Sequence, residues 1–165
     1  PSLPRDDELF AAREAERCLA CDSACLRCVE VCPNRANTAI AVGGEPFRQS
    51  LQILHVDYLC NECGNCGSFC PWEGEPYKGK ITLFRDLAAL EASRNVGFYL
   101  AAGEGEPGTG TPRLVALRAA YGGPSLSVPA SVPASAPASA NASDAVLSLA
   151  RIVASDHAYL LGGAQ

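Results

Sequence analysis

The chain reads as an α+β protein, and three observations lead there. Strand-length apolar runs stand at residues 38–42, 51–56 and 81–84, the first two joined through a Gly43-Gly44 turn. Helical patterns stand before and after them, at residues 6–17, 86–93 and 143–156. Two short cysteine runs, each closed by Cys-Pro, sit on either side of the hairpin that the first two strands would make. The 165 residues suffice for one ordinary domain or for a small metal-stapled domain with appendages.

The elements follow in order. Residues 6–17 predict a short helix, with Leu9, Phe10 and Ala12 among charged neighbours and Asp6 as N-cap. The first cysteine run follows, then the hairpin of 38–42 and 51–56, the second cysteine run, and a returning strand at 81–84. Residues 86–93 predict a helix, and 98–102 with 113–117 a second hairpin around a Gly-rich loop. That loop contains Gly103-Glu104-Gly105-Glu106-Pro107-Gly108, a literal G-x-G-x-x-G. Pro107 and the Gly/Thr/Pro stretch after it open no helix, so it is read as a loop and not as a dinucleotide site. Residues 123–143 are nearly all Ser, Pro, Ala and Val and predict an extended linker. Ser143 or Asp144 then caps a helix to about Asp156, with Val146, Leu149, Ile152 and Val153 on one face, and 157–161 predict a final strand. The divisions are therefore 1–17, 18–85, 86–122, 123–143 and 144–165.

The cysteines carry the chemistry. Cys60, Cys63, Cys66 and Cys70-Pro71 spell C-x2-C-x2-C-x3-C-P, the ligand run of a bacterial [4Fe–4S] ferredoxin. Cys21, Cys25, Cys28 and Cys32-Pro33 repeat it with one extra residue in the first gap. An offset of 38 residues carries Cys25, Cys28, Cys32 and Pro33 onto Cys63, Cys66, Cys70 and Pro71. A cubane offers four irons, each needing one soft thiolate, and three closely spaced cysteines on a coiled loop reach three corners. The fourth faces away and serves the cluster of the other run. One cluster would take Cys21, Cys25, Cys28 and Cys70, and the other Cys60, Cys63, Cys66 and Cys32. The proline is expected to shape a turn into a helix start. The expected core is thus ferredoxin-like with two [4Fe–4S] clusters, an N-terminal helix and a small C-terminal hairpin and helix appendage. Crossed ligation ties the halves through metal, so the metal-free chain should be largely unfolded.

Nine cysteines leave one spare. Cys21 is favoured as ligand, although Cys18 stands three residues before it at C-x2-C spacing and replaces it if the chain loops between them. A four-thiolate zinc site from Cys25, Cys28, Cys63 and Cys66 is the structural alternative, but it leaves Cys32, Cys60 and Cys70 idle and both Cys-Pro pairs unexplained. A disulfide framework fits worse, because the count is odd and the cysteines crowd into two runs. The net charge of −5 argues against nucleic acid and anionic membrane as partners. No apolar run approaches the roughly twenty residues that span a bilayer. Reduced thiols without a secretory signal point to the cytoplasm. The absence of methionine and the Pro-Ser-Leu-Pro opening suggest a piece of a longer protein.

An electron relay needs no acid, base or nucleophile, and no catalytic residue is expected. Gly64 and Gly67 would let backbone approach the second cluster, and Tyr58, Phe69, Trp72 and Tyr77 would either shield it or pack in the core. Lys78 and Lys80 would raise a nearby potential, dock an acidic partner or simply be solvated. Arg35 would bond carbonyls near Cys32 or simply cover the surface, and His55 and His157 read as satisfied strand-end histidines.

A family resemblance rests on longer words. Residues 14–19, then Cys28-Val29-Glu30-Val31-Cys32-Pro33-Asn34-Arg35-Ala36-Asn37, resemble the C-terminal region of the selenate reductase iron–sulfur subunit family. So do Leu54-His55-Val56-Asp57, the second cysteine run, Pro76-Tyr77-Lys78-Gly79-Lys80 and the closing Tyr159-Leu160-Leu161-Gly162. The resemblance is strong over 14–84, patchy to 122 and absent in the linker. It implies a flavoprotein similar to the small subunit of glutamate synthase, with FAD and NAD(P) bound upstream or by a partner. It also implies association with a molybdenum hydroxylase. Neither a flavin nor a nicotinamide fingerprint stands in residues 1–165. The two functional readings are electron transfer within a larger oxidoreductase, and a metal-stapled interaction module without redox role.

Overall fold

The computed structural model describes residues 25–44, 46–47, 49–101, 112–128 and 142–161. The helix expected at 6–17, Cys18, Cys21, the Gly-rich loop at 103–108 and most of the expected linker lie outside the described residues.

A four-residue helix, α1 (Arg27–Glu30), precedes an antiparallel hairpin of β1 (Asn37–Ala41) and β2 (Leu51–Val56), in which Asn37 stands opposite His55. β3 (Ile81–Phe84) lies parallel to β2, and β4 (Gly97–Ala101) parallel to β3. Parallel neighbours need crossovers. The one between β2 and β3 carries a 3₁₀ turn (Asp57–Leu59), α2 (Asn65–Ser68) and α3 (Pro76–Gly79). The next carries α4 (Leu87–Ala92), whose Asp86 carboxylate accepts the Ala89 N–H at 2.8 Å as an N-cap. β5 (Arg113–Arg118) and β6 (Leu126–Ser127) return antiparallel, and the six strands lie side by side in chain order.

Alternation along the strands splits the sheet into two covered faces. Ile40, Leu54, Val56, Leu83, Phe98 and Leu117 point to one side, where α5 (Ala142–Asp156) closes over them with Val146, Leu149 and Val153. Ala39, Ile53, Phe84, Tyr99 and Ala116 point to the other, against the cysteine-bearing segments and α4. β2 is therefore buried on both faces, as expected for an internal strand with a parallel neighbour. Where β3 meets β4, the chains approach so closely that a Cβ at Gly97 would collide with the Thr82 carbonyl oxygen.

Four expectations change. The second hairpin is not a separate appendage, because β4 and β5 extend the same sheet and share its core. The last segment is a 3₁₀ turn (Ala158–Leu161) and not a strand. The helix carries on into it through His157 N–H to Val153 O at 3.1 Å, the turn closes with Leu160 N–H to His157 O at 2.9 Å, and Leu160 is buried. The start of the expected linker contributes β6, an exposed two-residue pairing that requires no apolar run. The C-terminal helix begins at Ala142, so the expected caps Ser143 and Asp144 fall inside its first turn, and Ile152 is only partly buried.

Candidate metal centre

The 38-residue offset of the cysteines is also an offset of the backbone. Val29 and Glu30 donate to Leu26 O at 2.9 and 3.1 Å, as Gly67 and Ser68 donate to Gly64 O at 2.9 and 3.0 Å. Val31 donates to Arg27 O and Phe69 to Asn65 O, both at 3.1 Å. Arg35 and Glu73 close the turns by donating to Cys32 O and Cys70 O at 3.2 and 3.1 Å, and both adopt left-handed backbone at φ 55° and 52°. Each Cys-Pro pair therefore ends a helical turn, contrary to the expected helix start. A proline has no N–H to continue the turn and is at home just past a helix C-terminus.

These turns bring four cysteines to one place. Cys32, from the first copy, lines a concavity with Cys60, Cys63 and Cys66 of the second; Asn37 and Tyr77 also line it. Two of the sulfurs accept backbone N–H groups, Cys32 Sγ from Ala36 at 3.2 Å and Cys60 Sγ from Glu62 at 3.3 Å. Gly64 enters the wall at φ 79°, left-handed backbone that favours glycine, and no protein atom beyond its chain neighbours lies within 4 Å of where its Cβ would be. For the other expected set, Cys28 is buried and shares an apolar cluster with Cys66 and Ile53, while Cys25 is exposed. Cys70 lines a different groove, with Gly64, Gly67 and Glu75, and Cys21 lies outside the described residues.

Electrostatics follow from burial. The Cys60 thiol is pushed up by desolvation, opposed by the Glu62 N–H and reinforced by Cys32 and Cys66. The Cys28 thiol is pushed up by desolvation as well, with Lys80 pulling it back. A cation in the concavity would reverse this balance, because a coordinating thiol is held deprotonated. Soft donors in a partly enclosed wall, with N–H groups aimed at sulfur, fit an iron–sulfur cluster. Among the described residues, no three His, Cys, Asp or Glu side chains converge as ligands of one ion.

The remaining candidates distribute unevenly. Of the four aromatics, only Tyr77 lines the concavity. Tyr58 packs against the main core and donates its hydroxyl to Leu160 O, while Phe69 and Trp72 are 59% and 71% exposed. Lys78 bonds both Glu75 carboxylate oxygens at 2.9 and 3.1 Å, which leaves Lys80 as the lysine acting on a cysteine. Arg35 reaches the Cys32 carbonyl through its backbone N–H. His55 is buried, meets Asn37 through Nδ1 at 3.2 Å, and burial lowers its pKa to about 4. His157 meets the Tyr159 hydroxyl at 3.3 Å. Asn37 is the residue that sequence reasoning missed, and its place opposite His55 in the β1–β2 register was the available signal.

A concavity lined by four cysteines, drawn from both copies of a repeated turn on one face of a mixed sheet, has the donor set of a soft-metal centre. Among curated proteins, the chain is 55% identical over 95 residues to the protein named "Putative oxidoreductase YgfK" from Escherichia coli (strain K12). The protein of the same name from Escherichia coli O157:H7 shows the same identity over the same length. The match covers 58% of this chain but 9% of each relative, so the chain spans under a tenth of their length. No family model and no solved structure matches. Among the described residues, no helix is long and apolar enough to cross a membrane.

Proposed function

We propose that this chain is an electron-relay segment of a larger oxidoreductase and holds two [4Fe–4S] clusters. Cys32, Cys60, Cys63 and Cys66 would bind one, and Cys25, Cys28 and Cys70, with Cys21 favoured as the fourth, the other. The observation that carries this reading is the single concavity lined by Cys32 together with the three cysteines of the second run. Kinship over 95 residues with a protein named as an oxidoreductase supports a redox role. A lone zinc needs its four thiolates gathered round one ion, whereas a cubane spreads its ligands over four irons.

Such a cluster, when bound, supplies one-electron transfer. The residues of this chain hold and tune it. The Ala36 and Glu62 N–H groups disperse negative charge on Cys32 and Cys60, and Lys80 does so at Cys28. Tyr77 and the buried Cys28–Cys66–Ile53 cluster limit solvent from within. FAD and NAD(P) would belong to other parts of a longer protein or to a flavoprotein partner, and a molybdenum hydroxylase is the further partner that the family resemblance implies. The test is iron, acid-labile sulfide and zinc per chain in anaerobically purified protein. Roughly eight irons with matching sulfide is the expected result. Zinc with little sulfide would replace the relay with a structural metal module.

A further inference from the structure

The β1–β2 ladder places Asn37 opposite His55, and both side chains are buried, each at 2% exposure. Asn37 Nδ2 donates to the Cys28 carbonyl at 3.1 Å, across from α1. That contact admits one orientation of the amide, because the reverse would set two oxygens face to face. Asn37 Oδ1 therefore faces His55 Nδ1 at 3.2 Å and accepts its proton, which fixes the imidazole as the Nδ1–H tautomer. Asn37 also lines the concavity of Cys32, Cys60, Cys63 and Cys66, whereas the carbonyl it holds belongs to Cys28 of the other set. One neutral amide thus touches both proposed ligand sets.

We propose that Asn37, oriented by His55, is a positioning residue that locks the Cys28 helix to the wall of the second cysteine concavity and so sets the potential of the clusters bound there. This rests on the relay reading above. Neither residue is a metal ligand. His55 does not line the concavity; it lines a separate groove with Cys60, and its hydrogen bond to Asn37 is the contact that orients the amide. The geometry separates orientation from bulk, since any side chain that donates a hydrogen bond to Asn37 Oδ1 can replace the imidazole.

The experiment is an EPR-monitored redox titration, with iron and sulfide analysis, of wild type, N37L, H55L and H55Q, each purified anaerobically as the full chain. H55L should change the one-electron reduction equilibrium of at least one cluster threefold or more, and H55Q should restore it, because glutamine donates to the same oxygen. N37L should show a larger change or loss of iron. If N37L does not fold, the H55L and H55Q pair still decides. A wild type with about eight irons whose H55L potentials are unchanged overturns the positioning role and leaves the relay standing. A wild type without iron overturns the relay and the positioning role with it.

Discussion

The two cysteine copies leave their helices alike and enter them differently. From Leu26 and Gly64 onward the hydrogen bonds match residue for residue, through the Cys-Pro turns to the left-handed Arg35 and Glu73. At the entry, Leu26 stands at φ −95° where Gly64 stands at φ 79°, and the first copy carries its extra residue just upstream. The exit is specified by local chemistry that both copies share, a proline after the helical turn. The entry answers to the wall it must build, and the second copy places three of its cysteines in one concavity. A sequence repeat thus predicts a shared local geometry and not a shared environment.

The largest expected effect tests whether the second copy holds metal as proposed. Cys66→Ser should take iron from about eight to about four per chain, while Cys18→Ser leaves it unchanged. Equal iron loss from both would overturn the choice of Cys18 as the spare thiol.

His55 sharpens the asymmetry, because the positions 38 residues on from Asn37 and His55 are Glu75 and Ser93. Its pKa falls from 6.5 to about 4 on folding through desolvation, so the unfolded chain binds the proton more readily. Its contribution to stability is complete above about pH 6.5 and is lost as pH falls toward 4, on the order of 3 kcal/mol across that window. Denaturant unfolding of wild type and H55Q at several pH values checks this: the wild type should lose more stability than the variant over that range.

Gly64→Ala should cost about 1–2 kcal/mol by forcing a Cβ into left-handed backbone. Leu26→Ala, in ordinary backbone, should act only through lost packing. The smallest effect lies at the exits, where Arg35→Gly and Glu73→Gly should each stabilise by roughly 0.5 kcal/mol, relief of strain less the entropy of glycine. Unequal values in guanidinium unfolding would show that the two exits are not equivalent.

Much of this was legible in advance because its determinants are local. Apolar runs of strand length and the Gly43-Gly44 turn announced the first hairpin, and the face of Val146, Leu149 and Val153 announced the closing helix. The ligand-run rule names Cys32 with Cys60, Cys63 and Cys66, and the structure lines one concavity with these four. What escaped depends on distant partners. The pattern of β4 and β5 reads as an isolated hairpin, since nothing local says that β4 will pair with β3. Phe69 and Trp72 have the composition of shielding residues but face solvent. Asn37 becomes informative only once register sets it against His55.

The docking of α5 has a consequence for how the molecule is made. Its helix covers Leu54, Leu83, Phe98 and Leu117, all of which leave the ribosome before it does. Tyr58 then reaches Leu160 across 102 residues of chain. Until that last turn emerges, a nascent chain with both cysteine runs already present displays a bare greasy face on the back of its sheet. A fragment cut between the end of β5 and Ala142 keeps every described cysteine and inherits that face permanently, so it should aggregate.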